Sequence, residues 1–196
     1  MSAPLQDLKD RAQAAVAPVP TGAQAYESVR PQFEAGDLLC FRGNGPISLL
    51  IRFFTKSRYS HVGLVFRYED HVYCLEAVGR GVSLLIMSEL VGRYNGGIDY
   101  FEIKDATDAQ RTGALGFSFQ QLGKRYNRAG IIRFLWFLVF GDKEKTRADG
   151  SFFCSELVEE AYRRQGLSLV AQSPSYTSPQ DLAASPHVRF LFSVKS

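Results

Sequence analysis

Three residues with the chemistry of an activated cysteine site are widely separated in this chain. His61 opens a strand-like run, Glu76 lies in the next apolar run, and Cys154 begins an amphipathic stretch far downstream. A thiol, an imidazole and a carboxylate together activate a cysteine for attack on a carbonyl carbon. A fold that uses them must bring two neighbouring strands and a distant helix to one point.

The predicted strands at 61–67 and 71–78 put the imidazole and the carboxylate within reach of each other. Side chains alternate between the two faces of a strand, so the register of pairing decides which residues meet. A four-residue loop would set His61 directly opposite Glu76, whereas a two-residue loop at 69–70 would leave them diagonal neighbours on one face. The carboxylate reaches the imidazole in both arrangements, and a carboxylate within an apolar run requires such a partner.

The stretch that begins at Cys154 is predicted to be an amphipathic helix that packs on this sheet. Its apolar residues lie on the same face as Cys154: Leu157, Val158, Ala161 and Tyr162. Cys154 is therefore expected to point toward the sheet. The positive end of the helix dipole and a protonated His61 would both stabilise the thiolate.

The composition fits one globular domain with a tail and excludes a disordered chain. The chain has 196 residues, of which 45% are hydrophobic and 13% aromatic. Its net charge of +3 does not imply nucleic acid, and no nucleic-acid partner is expected. Local basic stretches form either a solvated face or a surface for an anionic substrate or membrane. They contain Arg52, Lys56 and Arg58, and then Lys124, Arg125, Arg128 and Arg133.

The other cysteines argue against a disulfide framework and against a metal site. Cys40 and Cys74 lie in apolar strand-like runs, where buried thiols are expected. No CxxC pair is present in the sequence. We therefore expect no metal and no cofactor.

The sequence contains neither a recognisable signal peptide nor a membrane-spanning run. Segment 1–20 lacks the basic start and continuous apolar core of a signal peptide, which points to a cytoplasmic location. The apolar run 131–140 contains an arginine and is too short for a span of about 20 residues. It is either a core helix or a flap that faces lipid or substrate, and a flap would give peripheral membrane contact.

The overall pattern predicts an α+β fold with an antiparallel sheet packed against helices, including the helix that bears Cys154. Residues 1–30 are predicted to form a helical extension or linker, and residues 31–196 the main domain. Beyond the hairpin, strands are predicted at 37–41, 82–86, 98–103 and 188–194, and helices at 47–54, 107–122, 154–166 and from Ser178.

Several ordered blocks of the sequence resemble a known family. They are segments 36–43, 51–63, 75–77, 153–157 and 178–182. The blocks resemble the YiiX-like proteins, the circularly permuted branch of the NlpC-type papain-fold hydrolases, over about residues 33–194. This resemblance implies a permuted papain-like fold, in which the histidine and the glutamate precede the cysteine, the reverse of the papain order.

The resemblance also implies roles for individual residues. Cys154 is the nucleophile, His61 the general base and acid, and Glu76 the residue that orients the imidazole. Segment 122–126 resembles the one that precedes the nucleophile in unpermuted relatives, where a tyrosine hydroxyl contributes to the oxyanion hole, so Tyr126 is a candidate donor. Tyr126 departs from the family pattern because it lies far upstream of Cys154, and a packed core role is the alternative. The backbone N–H of Cys154 is a second candidate donor.

The activity implied by the resemblance is that of a thiol hydrolase that forms an acyl-enzyme on an amide, peptide, ester or thioester bond. The expected substrate is a cell-wall peptide or an acyl lipid. A lipid acyltransferase similar to lecithin:retinol acyltransferase and a non-catalytic groove-binding module are the alternatives. The sequence leaves the substrate and the oligomeric state open.

Overall fold

In a computed structural model of the protein, the described residues are 24–78, 81–123, 154–171 and 177–195. Tyr126, the apolar run 131–140 and residues 1–23 of the predicted extension lie outside these ranges. What the sequence predicts for them stays a prediction.

Short strands and helices follow one another along the described residues. In chain order they are β1 (Gln24–Ala25), α1 (Tyr26–Val29), β2 (Leu38–Gly43), α2 (Pro46–Thr55), β3 (His61–Tyr68), β4 (His71–Val78), β5 (Gly81–Ile86), α3 (Met87–Arg93), β6 (Gly96–Ile103), α4 (Asp108–Phe119), α5 (Cys154–Arg163), α6 (Pro179–Ala183) and β7 (Val188–Lys195). A 3-10 turn spans Arg30–Gln32 between α1 and β2. In the described ranges, no helix combines the length and the apolar composition that crossing a membrane requires.

The strands form one sheet in the order β1-β7-β6-β2-β3-β4-β5. Neighbouring strands are antiparallel, except that β1 pairs in parallel with β7. The predicted hairpin strands appear as β3 and β4, and Cys154 is the first residue of α5. The predicted α+β class with helices packed on the sheet is confirmed.

Apolar side chains fill both faces of the sheet, because its central strands are covered on both sides. All six residues of β2 are buried. On one face, Phe41 and Val65 belong to a cluster with α1 and α3, and we call this the α3 face. On the other, Cys40 and Val62 belong to a cluster with α4, α5 and α6, and we call this the α5 face. Alternation along β2 and β3 thus sends successive side chains into different cores.

Local sequence signals fix the ends of the helices. Thr107 and Gln110 form a capping box at the start of α4, in which each side chain accepts a hydrogen bond from the other residue's backbone N–H. Ser178 and Asp181 form the same arrangement at the start of α6. Gly166, with φ of 79°, follows the last turn of α5, where a left-handed residue commonly ends a helix.

Part of the predicted N-terminal extension packs onto the sheet. β1 pairs with the end of β7, and Tyr26 and Val29 are buried on the α3 face beside Phe33. The division between an extension and a main domain at residue 30 stays a prediction.

A buried carboxylate links the start of β2 to β6 and α4. Asp37 is 1% exposed and accepts a hydrogen bond from the backbone N–H of Ile103 at 2.9 Å. The Tyr100 hydroxyl and the Arg111 guanidinium also donate to it. The carboxylate is therefore paired with one arginine and well supplied with hydrogen bonds.

We expect Asp37→Ala to lower the free energy of unfolding by about 3–5 kcal/mol, because it deprives the Arg111 charge of its partner. Urea unfolding measures this loss. The matched control is Glu34→Ala, which removes an exposed carboxylate close to the network and should change the free energy by less than about 0.5 kcal/mol. Equal losses in the two variants would contradict a stabilising role for the Asp37 network.

Candidate active site

The register of the β3–β4 hairpin brings the predicted imidazole and carboxylate together. A two-residue turn, 69–70, joins the strands, and Gly63 lies opposite Glu76. His61 and Glu76 are therefore diagonal neighbours on one face, which is the second of the two arrangements expected from the sequence. His61 Nε2 lies 2.8 Å from Glu76 Oε2.

The Glu76 carboxylate is held in a nearly dry environment. Its side chain is 7% exposed, and that of His61 is 17% exposed. The buried thiol of Cys74 also donates to Glu76 Oε2, at 3.9 Å. Because Glu76 occupies Nε2 of the imidazole, Nδ1 is the nitrogen left to exchange a proton with a nucleophile.

Gly63 provides the space for the Cys74 side chain, which supports Glu76 in this diagonal contact. A Cβ atom at Gly63 would lie 2.6 Å from the Cys74 sulfur, 3.0 Å from the Leu75 carbonyl oxygen and 3.4 Å from the Glu76 Cβ. The first distance is shorter than real Cβ contacts. The Cys74 side chain, whose thiol donates to Glu76, can thus take its position because residue 63 has no side chain.

Cys154 reaches His61 from the other side of the sheet. Cys154 packs against the apolar cluster on the α5 face, which contains Val62. The His61 ring lies on the α3 face, with its centroid 5.2 Å from that of Phe41. Pairing between β2 and β3 continues to His61, whereas the β3–β4 ladder ends at Gly63. The thiol and the imidazole form their hydrogen bond at this end of the hairpin, where β3 extends past its ladder with β4.

The surroundings of Cys154 favour the thiolate. Burial by itself raises the pKa of the thiol, but the charge and the hydrogen bond of His61 outweigh it. The backbone N–H groups of Val62 and Ser155 also donate to the sulfur, and the pKa is lowered from its ordinary value.

The pKa of the His61 imidazole is shifted in the opposite direction, upward. Burial lowers the pKa of His61, but the Cys154 thiolate, followed by the hydrogen bonds with Cys154 and Glu76, raises it to about 10. A lowered thiol pKa and a raised imidazole pKa together favour a thiolate–imidazolium pair.

The other two cysteines are buried, as the sequence predicts. Burial, followed by the charges of Asp99 and Cys154, raises the pKa of Cys40 well above its ordinary value. Burial, followed by the charge and hydrogen bond of Glu76, does the same for Cys74. Both thiols are therefore protonated and unreactive beside the candidate nucleophile.

The structure describes only one of the two predicted oxyanion donors. Tyr126 lies outside the described residues, and its role stays a prediction. The backbone N–H of Cys154 lies in the first turn of α5, where N–H groups have no partner within their own helix, so it remains a candidate donor.

A buried polar network near the site was missed from the sequence. Asp99, which is fully buried, accepts hydrogen bonds from Arg42 at 2.8 Å and from the Tyr59 hydroxyl at 2.9 Å. Arg42 is a charged residue in an otherwise apolar strand, and Asp99 lies between the apolar residues Ile98 and Tyr100. The reasoning that marked Glu76 as unusual could have marked them too.

Comparison with known proteins gives a family match over most of the chain. The model of a family described as permuted papain-like amidase enzymes, the YaeF/YiiX or C92 peptidase family, matches residues 32–192. The matched range includes Cys154, His61 and Glu76.

The chain is also similar to the probable lipoprotein peptidase YaeF of Escherichia coli strain K12. The two sequences are 27% identical over 187 residues, which cover 80% of this chain and 65% of that protein. The chain thus spans less than two thirds of the length of this relative.

The fold is similar to that in a crystal structure of a protein described as metalloprotein YiiX of Escherichia coli O157:H7. The TM-score is 0.64 at 19% identity, and the match covers 84% of this chain and 99% of the other. Together with the family match, this likeness shows the permuted papain-like fold. Within the described ranges of this chain, no group of three or more His, Cys, Asp or Glu residues could hold a metal ion.

We expect iodoacetamide to label Cys154 rapidly well below pH 8.5, roughly the pKa of a free thiol. The lowered pKa keeps the sulfur ionised as the pH falls, and labelling slows only when the pH passes through that lowered value. In His61→Ala the burial that raises the thiol pKa remains without its opposing charge, so labelling at neutral pH should fall at least about tenfold.

Peptide mass spectrometry gives the rate for each cysteine separately. Cys40 and Cys74 are internal controls and should stay unlabelled in the folded protein. If Cys154 titrated like a free thiol in both the wild type and His61→Ala, the thiolate–imidazolium pair would be wrong.

We expect Gly63→Ala to slow the labelling of Cys154 at neutral pH by about tenfold. The added methyl displaces the Cys74 side chain, whose thiol donates to Glu76 Oε2, and thereby weakens the support of the imidazolium. Gly116→Ala in α4 is the matched control, because a Cβ there meets no atom within 4 Å. Circular dichroism establishes that both variants fold. An unchanged labelling rate in folded Gly63→Ala would show that the diagonal contact does not need this space.

Proposed function

This chain belongs to the family of permuted papain-like amidases, and from that premise we propose that it is a cysteine hydrolase that cleaves amide or peptide bonds through Cys154, His61 and Glu76. The observation that carries the proposal is one continuous series of contacts. Glu76 holds one nitrogen of the His61 ring at 2.8 Å, and the same ring is hydrogen-bonded to the Cys154 sulfur, whose pKa is lowered.

In the proposed first step, the Cys154 thiolate attacks the acyl carbon of the substrate, and a C–S bond forms as the carbonyl oxygen gains the electron pair. The negative oxygen is stabilised by backbone N–H donors at the start of α5, with Tyr126 as a further candidate. The His61 imidazolium then gives its proton to the leaving amine, and the C–N bond breaks.

In the second step, water attacks the acyl-enzyme. Neutral His61 takes a proton from the water, the C–S bond breaks, and the acid product leaves while the thiolate–imidazolium pair is restored. Glu76 contributes by holding Nε2–H, so that Nδ1 faces the sulfur throughout the cycle. The buried position of Glu76 makes it a positioning group.

The substrate is the open part of the proposal. The family description names amidases, and the relative YaeF is named a peptidase, which together support an amide or peptide substrate over an ester or thioester. We propose residues 31–196 as the catalytic domain. An acyl-lipid substrate, peripheral membrane contact through 131–140 and a cytoplasmic location are further proposals, and they depend on residues outside the described ranges.

The test is acyl-enzyme trapping on the full chain with an activated acyl ester, followed by intact mass spectrometry. Wild type should gain one acyl group on Cys154 and lose it to water, and Cys154→Ala should gain none. Glu76→Gln should acylate about 100-fold more slowly, because it weakens the support of the imidazolium. Glu34→Gln, the same change at an exposed position, should acylate at the wild-type rate.

Two results would overturn the proposal. Acylation at the wild-type rate in Cys154→Ala would remove Cys154 as the nucleophile. Transfer of the acyl group to an added alcohol in preference to water would identify an acyltransferase in place of a hydrolase.

A further inference from the structure

Arginine side chains gather next to the candidate active site with few anions to balance them. Arg42 and Arg52 are each 5% exposed, and the Arg58 side chain is 26% exposed. Burial lowers the pKa of Arg52, and the charges of Arg42 and Arg58 lower it further, so the three groups lie close together. In the ion pairs of the described residues, Arg42 and Arg58 share one carboxylate, Asp99, whereas Arg52 donates to the Gly43 carbonyl.

Asp99 has little capacity left for Arg58. Its Oδ1 accepts hydrogen bonds from Arg42 at 2.8 Å and from Ser193 at 2.6 Å, and its Oδ2 accepts one from Tyr59 at 2.9 Å. Arg58 Nη2 lies 3.7 Å from Oδ2, which is beyond hydrogen-bond distance. Asp99 is thus a structural partner of Arg42 and Tyr59 and only a distant counter-ion for Arg58.

Two nitrogens of the Arg58 guanidinium lack a hydrogen-bond partner among the described residues. Its Nε and Nη2 are buried and make no hydrogen bond within the part of the chain that the structure describes. Buried donors of a charged group that lack partners destabilise a protein, and native structures keep few of them. Both atoms are enclosed by the protein while another part of the side chain reaches solvent, so a bound anion would complete these donors once the guanidinium turns toward it.

Arg58 lies near His61 in the sequence, and hydrogen bonds at the start of α6 link it to the region of Cys154. Along the chain it precedes His61 by three residues. Its backbone N–H donates to the Gln180 side chain of α6 at 3.1 Å. At the entrance to α6, the Thr177 carbonyl accepts a hydrogen bond from Ser155, the residue after Cys154, at 2.5 Å.

The charges that act on Cys40 also indicate that Asp99 and Cys154 lie close together on the α5 face. Cys40 pairs with Asp99 between β2 and β6, and the charges of both Asp99 and Cys154 act on Cys40. The arginine cluster around Asp99 and the Cys154 sulfur are therefore neighbours on the α5 face of the sheet.

We infer that Arg58 binds an anionic group of the substrate, a carboxylate or a phosphate, next to Cys154. The planar fork of a guanidinium matches both groups through paired hydrogen bonds, and Arg42 and Arg52 add positive potential behind it. The inference rests on the proposed function, since it states the charge of the substrate on which Cys154 acts. A carboxylate would belong to an amino-acid or peptide substrate, and a phosphate to a phosphorylated or phospholipid substrate.

The test is calorimetric titration of the full chain with inorganic phosphate and, separately, with glutarate, both at constant ionic strength. At least one anion should bind saturably and should slow iodoacetamide labelling of Cys154 as its site fills. The tighter of the two identifies the anionic group. Arg58→Gln should weaken binding by about tenfold, and Arg58→Lys, which keeps the charge but loses the fork, by less.

Lys56→Gln is the matched control, because it removes the same charge from an exposed residue two positions away and should change binding by less than about twofold. Absence of binding, binding that leaves Cys154 labelling unchanged, or equal weakening in Arg58→Gln and Lys56→Gln would each overturn the inference. The pH profile of Cys154 labelling separates this failure from that of the proposed function. A low thiol pKa without anion binding removes the role of Arg58 alone, whereas an ordinary thiol pKa removes the hydrolase.

Discussion

The hydrogen bond between Cys154 and His61, in which each group favours the charged form of the other, is the interaction on which the proposed site depends. Neither charge would be stable alone in these surroundings, because burial raises the pKa of the thiol and lowers that of the imidazole. Each charge lowers the cost of the other, and Glu76 and the N–H groups of Val62 and Ser155 stabilise the two ends of the pair. Loss of one charge would leave the other buried and uncompensated, so the protonation states of Cys154 and His61 are expected to change together.

The contact between Cys154 and His61 forms beyond the end of the β3–β4 ladder, where β3 no longer pairs with β4. His61 and Glu76 belong to the α3 face and Cys154 packs on the α5 face, so within a continuous ladder the strands would lie between them. The β3–β4 ladder ends at Gly63, and there the sulfur meets both the imidazole and the N–H of Val62. The contact depends on how α5 packs against β3. It does not depend on which element comes first in the chain, and the same geometry is therefore compatible with a permuted order.

The sequence predicts the individual elements of this site better than it predicts how they are arranged in space. The hairpin, the cysteine at the start of a helix and the caps at Thr107 and Ser178 are encoded by local patterns, and they occur as expected. Helix α3 was missed because its seven residues are too few for a clear apolar period. The approach of Cys154 from the opposite face, and the choice between two hairpin registers, depend on tertiary packing that alternation within one strand does not contain.

The two buried aspartates show why the arginine cluster calls for a functional explanation. Around Asp37, one carboxylate pairs with one arginine and holds the sheet to α4, which is the arrangement expected of a structural ion pair. Around Asp99, Arg42 already supplies that structural partner, and Arg58 adds a charge with unsatisfied donors. Stability alone would favour a side chain without unsatisfied donors at position 58, because buried donors that lack a hydrogen bond cost free energy. The excess charge lies on the same face of the sheet as Cys154, the proposed nucleophile, where an anionic substrate would balance it only while bound.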